Sequence, residues 1–332
     1  MKKIRLAVLG LGRIGRLHLR NLCTAIPDVE VVATFTPSPE GKAFSQELRV
    51  KSCDEPTEIF SDPQIDAILI CSPTSTHADY VEEAARARKA IFCEKPLDLS
   101  LNRVRDTLQV VANCGAPLML AFNQRYDPDF MAIKRYVEGG KVGDVYMVRI
   151  VSRDPSPPPI KYIEHSGGLF MDMTIHDFDM ARHIVGSEVR EVYAKGAAII
   201  DPAIGQAGDI DTGVVLLHFH NGATAIIENS RKAVYGYDQR LEVFGSHGMI
   251  EARSPLKDNV RYYDETGGHH ARHPDFFMDR YASSYLLEIE AFIDALRNRR
   301  PMPVSGIDGL QAMFIADAAN KSLREMRPVT IS

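Results

Sequence analysis

Asp172, His176, Asp179 and His183 stand at i, i+4, i+7 and i+11 in a segment that is otherwise mostly apolar. Read as one helix, entered through Gly167-Gly168 and ended at Gly186, that spacing lines up two carboxylates and two imidazoles on one stripe. Burying such groups costs free energy unless they are paired. Three chemistries fit. An Asp172 carboxylate that orients the His176 imidazole makes a general base for a hydroxyl proton. The same side chains are metal-ligand types. A solvated or ion-paired helix face is the third reading. Lys95, in Cys93-Glu94-Lys95-Pro96, follows a short apolar run, the place where open parallel sheets present groups to a ligand. A plain Lys-Pro surface turn explains it equally well. Gly10, Gly12 and Gly15 form G-x-G-x-x-G directly after the apolar run Ile4–Leu9. There the first glycine permits a tight turn, the second a close approach to a pyrophosphate, and the third close helix–strand packing. The phosphates would rest on free N–H groups at a helix N-terminus.

The elements that must hold these residues alternate over the first 120 positions. Ile4–Leu9, Val29–Phe35, Ala67–Cys71, Ala90–Cys93 and Leu118–Ala121 read as strands, with helices over Ile14–Ala25, Gly41–Leu48, His77–Ala87 and Leu101–Asn113. Such alternation predicts a doubly wound parallel sheet covered on both faces. Longer strands follow: Val145–Ser152, Val189–Ile200, Thr212–His220, Ala223–Glu228 and Arg240–Phe244, several joined by hairpin-like turns. They predict an α+β domain on a mostly antiparallel sheet, closed by helices over Tyr285–Arg297 and Gly309–Leu323. The fold class is α/β, with a dinucleotide-binding domain over 1–122 and a substrate-binding and oligomerisation domain over 123–332, whose closing helix packs back on the first domain. Pro155–Pro159 reads as a rigid loop.

The acidic residue that usually ends the second strand and binds the ribose of NAD is absent. Thr36-Pro37-Ser38 stands there, and Glu40 comes later. Thr36 and Ser38 offer hydroxyls, and Arg13 and Lys42 offer charge, to either a ribose hydroxyl or a 2′-phosphate. Gly267–His273 holds three of the eleven histidines in a polar, glycine-rich setting that predicts an exposed mobile loop. His218 and His220, two apart on a strand, face one side. Tyr235 offers a phenol to a polar substrate or packs in a turn.

The net charge of −5 speaks against nucleic acid or an acidic membrane surface as the main partner. Cys23, Cys53, Cys71, Cys93 and Cys114 fit neither a zinc spacing nor a disulfide framework, which points to a reducing cytoplasm. Met1-Lys2-Lys3 before an apolar run superficially resembles a signal peptide, but glycines and Arg13 interrupt it. No apolar run approaches the length of a membrane span.

Taken together, the chain resembles the oxidoreductase family of glucose–fructose oxidoreductase, inositol dehydrogenase and MocA-type proteins. The resemblance rests on the glycine motif, Glu94-Lys95-Pro96, Gly167-Gly168 leading into Asp172-x-x-x-His176, and the closing helices. Ser152–Pro159 and Phe276–Tyr281 look most like inositol 2-dehydrogenases. The resemblance implies a nicotinamide-dependent dehydrogenase of a cyclitol ring hydroxyl, myo-inositol first. A pyranose or scyllo-inositol dehydrogenase, and a nicotinamide-binding sensor without turnover, are the alternatives. It implies that Lys95 hydrogen-bonds the reacting hydroxyl, that His176 is the general base and that Asp172 orients it. Cofactor contacts are expected at Gly10, Gly12, Arg13, Ile14, Gly15, Thr36, Ser72, Glu94 and Lys95. Substrate contacts are expected at Lys95, Asn123, Gln124, Arg153, Asp172, His176 and Tyr235. NAD is the expected cofactor, with NADP open, no resident metal, and a homotetramer assembled through the second domain's sheet. Gln124 precedes Arg125 where inositol dehydrogenases often carry two basic residues, so substrate contacts there are expected to differ.

Overall fold

Two kinds of apolar run build two kinds of sheet. The computed structural model describes residues 3–331, in two compact units. In chain order the elements up to Asn123 are β1 (Ile4–Leu9), α1 (Arg13–Thr24), β2 (Val29–Phe35), α2 (Pro39–Glu47), β3 (Lys51–Cys53), α3 (Pro56–Ser61), β4 (Ala67–Ile70), α4 (His77–Arg86), β5 (Ala90–Glu94), α5 (Leu101–Cys114) and β6 (Leu118–Ala121). Then come α6 (Pro128–Glu138), β7 (Val145–Arg153), α7 (Ile160–Ser166), α8 (Gly168–Asp172), α9 (Thr174–Val185), β8 (Val189–Ala197), α10 (Pro202–Gln206), β9 (Thr212–Phe219), β10 (Thr224–Ser230), β11 (Asp238–Gly245) and β12 (Gly248–Ala252). The chain closes with β13 (Arg261–Asp264), β14 (Gly267–His270), α11 (Phe277–Arg280), α12 (Ala282–Asn298), α13 (Gly306–Glu325) and β15 (Val329–Thr330).

Strands β1, β4, β5 and β6 are buried almost end to end, as their continuous apolar runs require of a sheet covered on both faces. All its pairings are parallel, in the order β3-β2-β1-β4-β5-β6. The order reverses between β1 and β4, so the segments after β1, β4 and β5 open on the carboxyl edge where such sheets bind ligands. Strand β3 escapes the sequence pattern because its three residues are too short to carry a period. The boundary expected after residue 122 falls after Asn123, and the C-terminal part is divided: Ser284–Gln311 belong to the first unit. The reason is packing. The Phe292 ring meets Phe92 at 5.7 Å, and the Leu120 N–H donates to the Val304 carbonyl at 3.1 Å.

In the second unit β9 and β10 alternate cleanly, β11 does so from Gln239 onward and β7 only through its middle, since Ile150, Val151 and Ser152 are all buried; the sheet order is β12-β11-β7-β10-β9-β8-β15. Only the β7–β10 pair within it is parallel among the described residues. One face buries Val148, Ile150, Ala225, Ile227, Val215, Leu217, Leu241 and Val243. The other exposes Met147, Val214, Phe244 and Met249. Because the period is two, Ser152, Asn229 and Gln239 fall on the buried face with the apolar residues. That placement matters for the site.

Three expected elements change. Gly167–Val185 is not one helix: α8 ends at Asp172, Met173 stands between, and α9 restarts at Thr174. At the junction the Leu169 carbonyl accepts from the Met173 N–H at 3.0 Å, and the Thr174 hydroxyl lies 3.2 Å from the same oxygen. The histidine-rich 267–273 stretch is partly strand, with β14 pairing β13 and the His269 ring stacked on Tyr262 at 4.5 Å. The strand expected over Val189–Ile200 stops at Ala197, where Asp211 takes the Ile199, Ile200 and Asp201 N–H groups into a loop.

Candidate active site

In the first unit the glycine motif occupies the turn from β1 into α1. Gly10 has φ +89°, and a Cβ there would lie 2.4 Å from the Ser72 nitrogen; a Cβ on Gly15 would lie 1.9 Å from the Gly10 carbonyl oxygen. No side chain larger than hydrogen fits either place. Gly12 is the opposite case: nothing lies within 4 Å of its Cβ position. It is also the N-cap of α1 and supplies no side-chain acceptor to the first turn. Open space before uncapped N–H groups is what a pyrophosphate requires. Ser72 follows β4 beside Gly10, and His77 fastens that loop to the next one. The buried His77 ring places Nδ1 2.8 Å from the Pro96 carbonyl and Nε2 2.7 Å from the Ser72 carbonyl.

Lys95 is half-buried just beyond β5. Its neighbour Glu94 is held from below: His18 Nε2 lies 3.1 Å from Glu94 Oε1 and 3.8 Å from Glu288 Oε1. His18 and Glu288 are fully buried. Burial, then the nearby Glu94 charge, pushes the Glu288 carboxyl well above the usual carboxylate range. Cys71 completes a His18–Cys71–Glu94 group of metal-ligand types.

Thr36 is buried, and its Oγ1 accepts from the Ser38 N–H at 3.3 Å. Ser38 caps α2 by accepting from the Gly41 N–H and donates to Glu40 Oε2 at 2.6 Å. The hydroxyls expected to meet a ribose or its phosphate thus already make contacts within their own turn. Arg13 is exposed and Ile14 half-buried. Asn123, the last residue of the first unit, and Gln124, the first of the second, are both buried; Asn123 Nδ2 and Gln124 Oε1 make no hydrogen bond.

The second unit holds Asp172 and His176. The Asp172 carboxylate is gripped from two sides: the Tyr162 hydroxyl donates to Oδ1 at 2.8 Å, and Arg231 Nη1 lies 3.4 Å from Oδ2. His176 sits half-buried in the first turn of α9. That turn is bolted to the sheet. Asn229 Nδ2 donates to Asp177 Oδ2 at 2.7 Å, Ser152 Oγ lies 2.6 Å from Asp177 Oδ1, and Thr174 Oγ1 donates to Asn229 Oδ1 at 2.9 Å. Burial raises the Asp177 carboxyl to about 7, although the Ser152 and Asn229 hydrogen bonds pull it down.

The rest of the polar stripe divides. Asp179, 1% exposed, receives Arg125 through Nε at 2.7 Å and Nη2 at 2.5 Å. The ion-paired reading of the stripe therefore holds at Asp179. Arg153 and Tyr235, expected as substrate contacts, meet each other at 2.9 Å, and the Tyr235 hydroxyl also donates to Asp238. Arg231, Tyr162, Asp177 and His18 were not among the expected site residues. Arg231 lies just past the end of β10, outside its alternation. Burial beside a partner distant in sequence is what singles out Arg231, Asp177 and His18, whereas Tyr162 is exposed and reaches Asp172 from ten positions away.

Residues 4–122 match the oxidoreductase family with an NAD-binding Rossmann fold, and residues 130–251 match the GFO/IDH/MocA C-terminal domain. The chain belongs to the GFO/IDH/MocA oxidoreductase family. It is 45% identical to a myo-inositol 2-dehydrogenase of Thermotoga maritima over 99% of this chain and 98% of that one. It is 47% identical to an inositol 2-dehydrogenase of Rhizobium meliloti over 99% of each. The solved scyllo-inositol dehydrogenase of Lactobacillus casei with bound NAD(H) and scyllo-inositol superposes with a TM-score of 0.93 at 31% identity, covering 99% of both chains. The family model that matches residues 4–122 is an NAD-binding Rossmann fold, and the open Gly12 position and uncapped α1 start fit that cofactor. No helix among the described residues is long and apolar enough to cross a membrane.

Proposed function

We propose that this protein oxidises a ring CH–OH of a cyclitol, myo-inositol first, to the ketone. The observation that carries the reading is the Gly167-Gly168-led segment, in which Asp172 is oriented from both sides and His176 follows on a turn pinned to the sheet. Relatives similar over their whole length and named inositol 2-dehydrogenases support the substrate. When bound, the nicotinamide supplies the hydride acceptor. His176 takes the hydroxyl proton as the carbon gives up its hydride. Asp172 orients that base and a substrate hydroxyl. Lys95 donates a hydrogen bond to the reacting oxygen and keeps it polarised as its charge grows. Gln124, Asn123, Arg153 and Tyr235 contribute contacts to the other hydroxyls, and Ser72, Thr36 and Glu94 shape the cofactor side.

NAD is preferred over NADP in this reading. The Ser38 hydrogen bond holds the Glu40 carboxyl below its usual range, which keeps a negative charge beside the turn after β2. Lys42 is paired with Asp54, and Arg16 Nε donates to the Gly12 carbonyl. A 2′-phosphate would meet like charge there. With myo-inositol, reduced-nicotinamide absorbance is expected to grow with NAD, with kcat/KM roughly tenfold or more above that for NADP. The L. casei structure, which holds scyllo-inositol, supports a second reading with that isomer as substrate; running both isomers side by side separates the two. Tight NAD binding without turnover on any polyol or pyranose would instead leave a sensor.

The exposed row Met147, Phe244 and Met249 supports a subunit interface on the open face of the sheet and a homotetramer in solution. Light scattering should give four times the mass of one chain. A monomer mass would sink that assembly. The five free cysteines, without a disulfide among them, support a reducing cytoplasmic setting.

A further inference from the structure

Arg231 is 1% exposed and, among the described residues, is the bulkiest of the fully buried side chains. A guanidinium is rarely buried without a specific anion to answer it. Here two carboxylates do so: Nη1 lies 3.4 Å from Asp172 Oδ2, and Nη2 lies 3.5 Å from Asp209 Oδ2. Its Nε and Nη2 make no hydrogen bond, so these charges are what hold the group in place. The frame around it is rigid. The Arg231 N–H donates to the Asp211 carbonyl at 2.8 Å, and the Asp211 side chain gathers three backbone N–H groups. Asp209 Oδ1 accepts from the Leu169 N–H at 2.9 Å, at the start of α8. Gly168 leaves room for this contact: a Cβ there, at φ +83°, would lie 2.8 Å from Asp209 Oδ1. Arg231 therefore joins both ends of α8. Asp209 anchors its first turn, and Asp172 is its last residue.

We infer that Arg231 is a positioning residue for the reaction: its guanidinium, held between Asp209 and Asp172, fixes the direction in which Asp172 presents its carboxylate. The inference rests on the reading of Asp172 as the orienting carboxylate. Removing the cation leaves two carboxylates without the charge between them, and Asp172 turns away. Lysine keeps the charge but not the fork that reaches both acids, so it restores only part of the function.

The test compares wild type with Arg231→Met and Arg231→Lys, using myo-inositol, the same substrate with deuterium on the reacting carbon, and NAD. Arg231→Met is expected to lower kcat about 100-fold, as a misdirected catalytic group does. The KM for NAD should stay unchanged, and the deuterium isotope effect should rise as chemistry becomes rate-limiting. Arg231→Lys should recover about tenfold of that loss. If Arg231→Met does not fold, Arg231→Lys alone must still show a kcat loss with an enlarged isotope effect. A fall in active fraction alone, with kcat per active site and isotope effect unchanged, would mean a structural role and overturn the inference. Crystal structures of the variants give the second arm. Asp172 redirected relative to wild type supports the inference, and Asp172 unmoved overturns it. If wild type oxidises no polyol, the proposed function fails, and the Asp172 direction in the variants still decides the role of Arg231.

Discussion

Replacing His176 with alanine is expected to lower kcat on myo-inositol by at least about 10³-fold while the fold survives. A positioned general base contributes roughly 10²–10⁴-fold. The imidazole is half-buried, and the bonds that fasten its turn to the sheet come from its neighbours Thr174 and Asp177. The loss should therefore appear in turnover and not in the melting temperature. Added imidazole should return part of the rate, since the missing group is a proton acceptor and not a packing element. Initial rates with and without imidazole, beside a thermal melt, make the check. A variant with full activity removes His176 from the reaction, and one that melts far below wild type shows a structural role instead.

Asp177→Asn is expected to change how stability depends on pH, by up to about 4 kcal/mol. In the unfolded chain this carboxyl ionises near its ordinary value of 3.8, whereas in the fold burial raises it to about 7. Between those values the folded state holds a proton that the unfolded state has released. Stability from this group is therefore complete below about pH 3.8, falls as pH rises through the window, and is lost above about 7. The hydrogen bonds agree with a protonated acid. The Ser152 hydroxyl has a single proton and faces two oxygens, Asp177 Oδ1 at 2.6 Å and Gln239 Oε1 at 2.8 Å. A proton on Asp177 donated to Ser152 lets Ser152 donate onward to Gln239. Asparagine reproduces that donor and keeps the Asn229 contact. Urea unfolding at pH 5 and pH 8 should show the variant gaining on wild type at the higher pH. Parallel pH dependences for the two proteins would show that Asp177 is ionised in the fold.

Much of the architecture is legible in the sequence alone. The continuous apolar runs of β1, β4, β5 and β6 can be buried on both faces only in a parallel sheet, and the period-two strands after residue 144 can hide only one face. Short or interrupted elements were not legible. Strand β3 has three residues, and the α8–α9 break interrupts a segment whose polar spacing runs on through it, so helical periodicity does not record it. In the sequence the glycine motif stands out by its spacing after an apolar run, and the structure gives its members different reasons: no side chain fits at Gly10 or Gly15, while Gly12 leaves open space before α1. Asp172 and His176, proposed for the chemistry, stand out because charged residues in an apolar segment call for a reason.

What the sequence determined by itself was local: which segments are strands or helices, where a dinucleotide turn begins, and which few residue types stand out against their surroundings. Tertiary structure decided which of those groups have partners. Asp179 became a structural ion pair because Arg125, 54 positions away, closes on it. Asp172 gained the buried Arg231 from 59 positions away, and Asp177 gained Ser152 and Asn229 from two different strands. A carboxylate's role depends on its burial and on the charge beside it. Both are set by contacts between residues far apart in the chain, which no local spacing encodes.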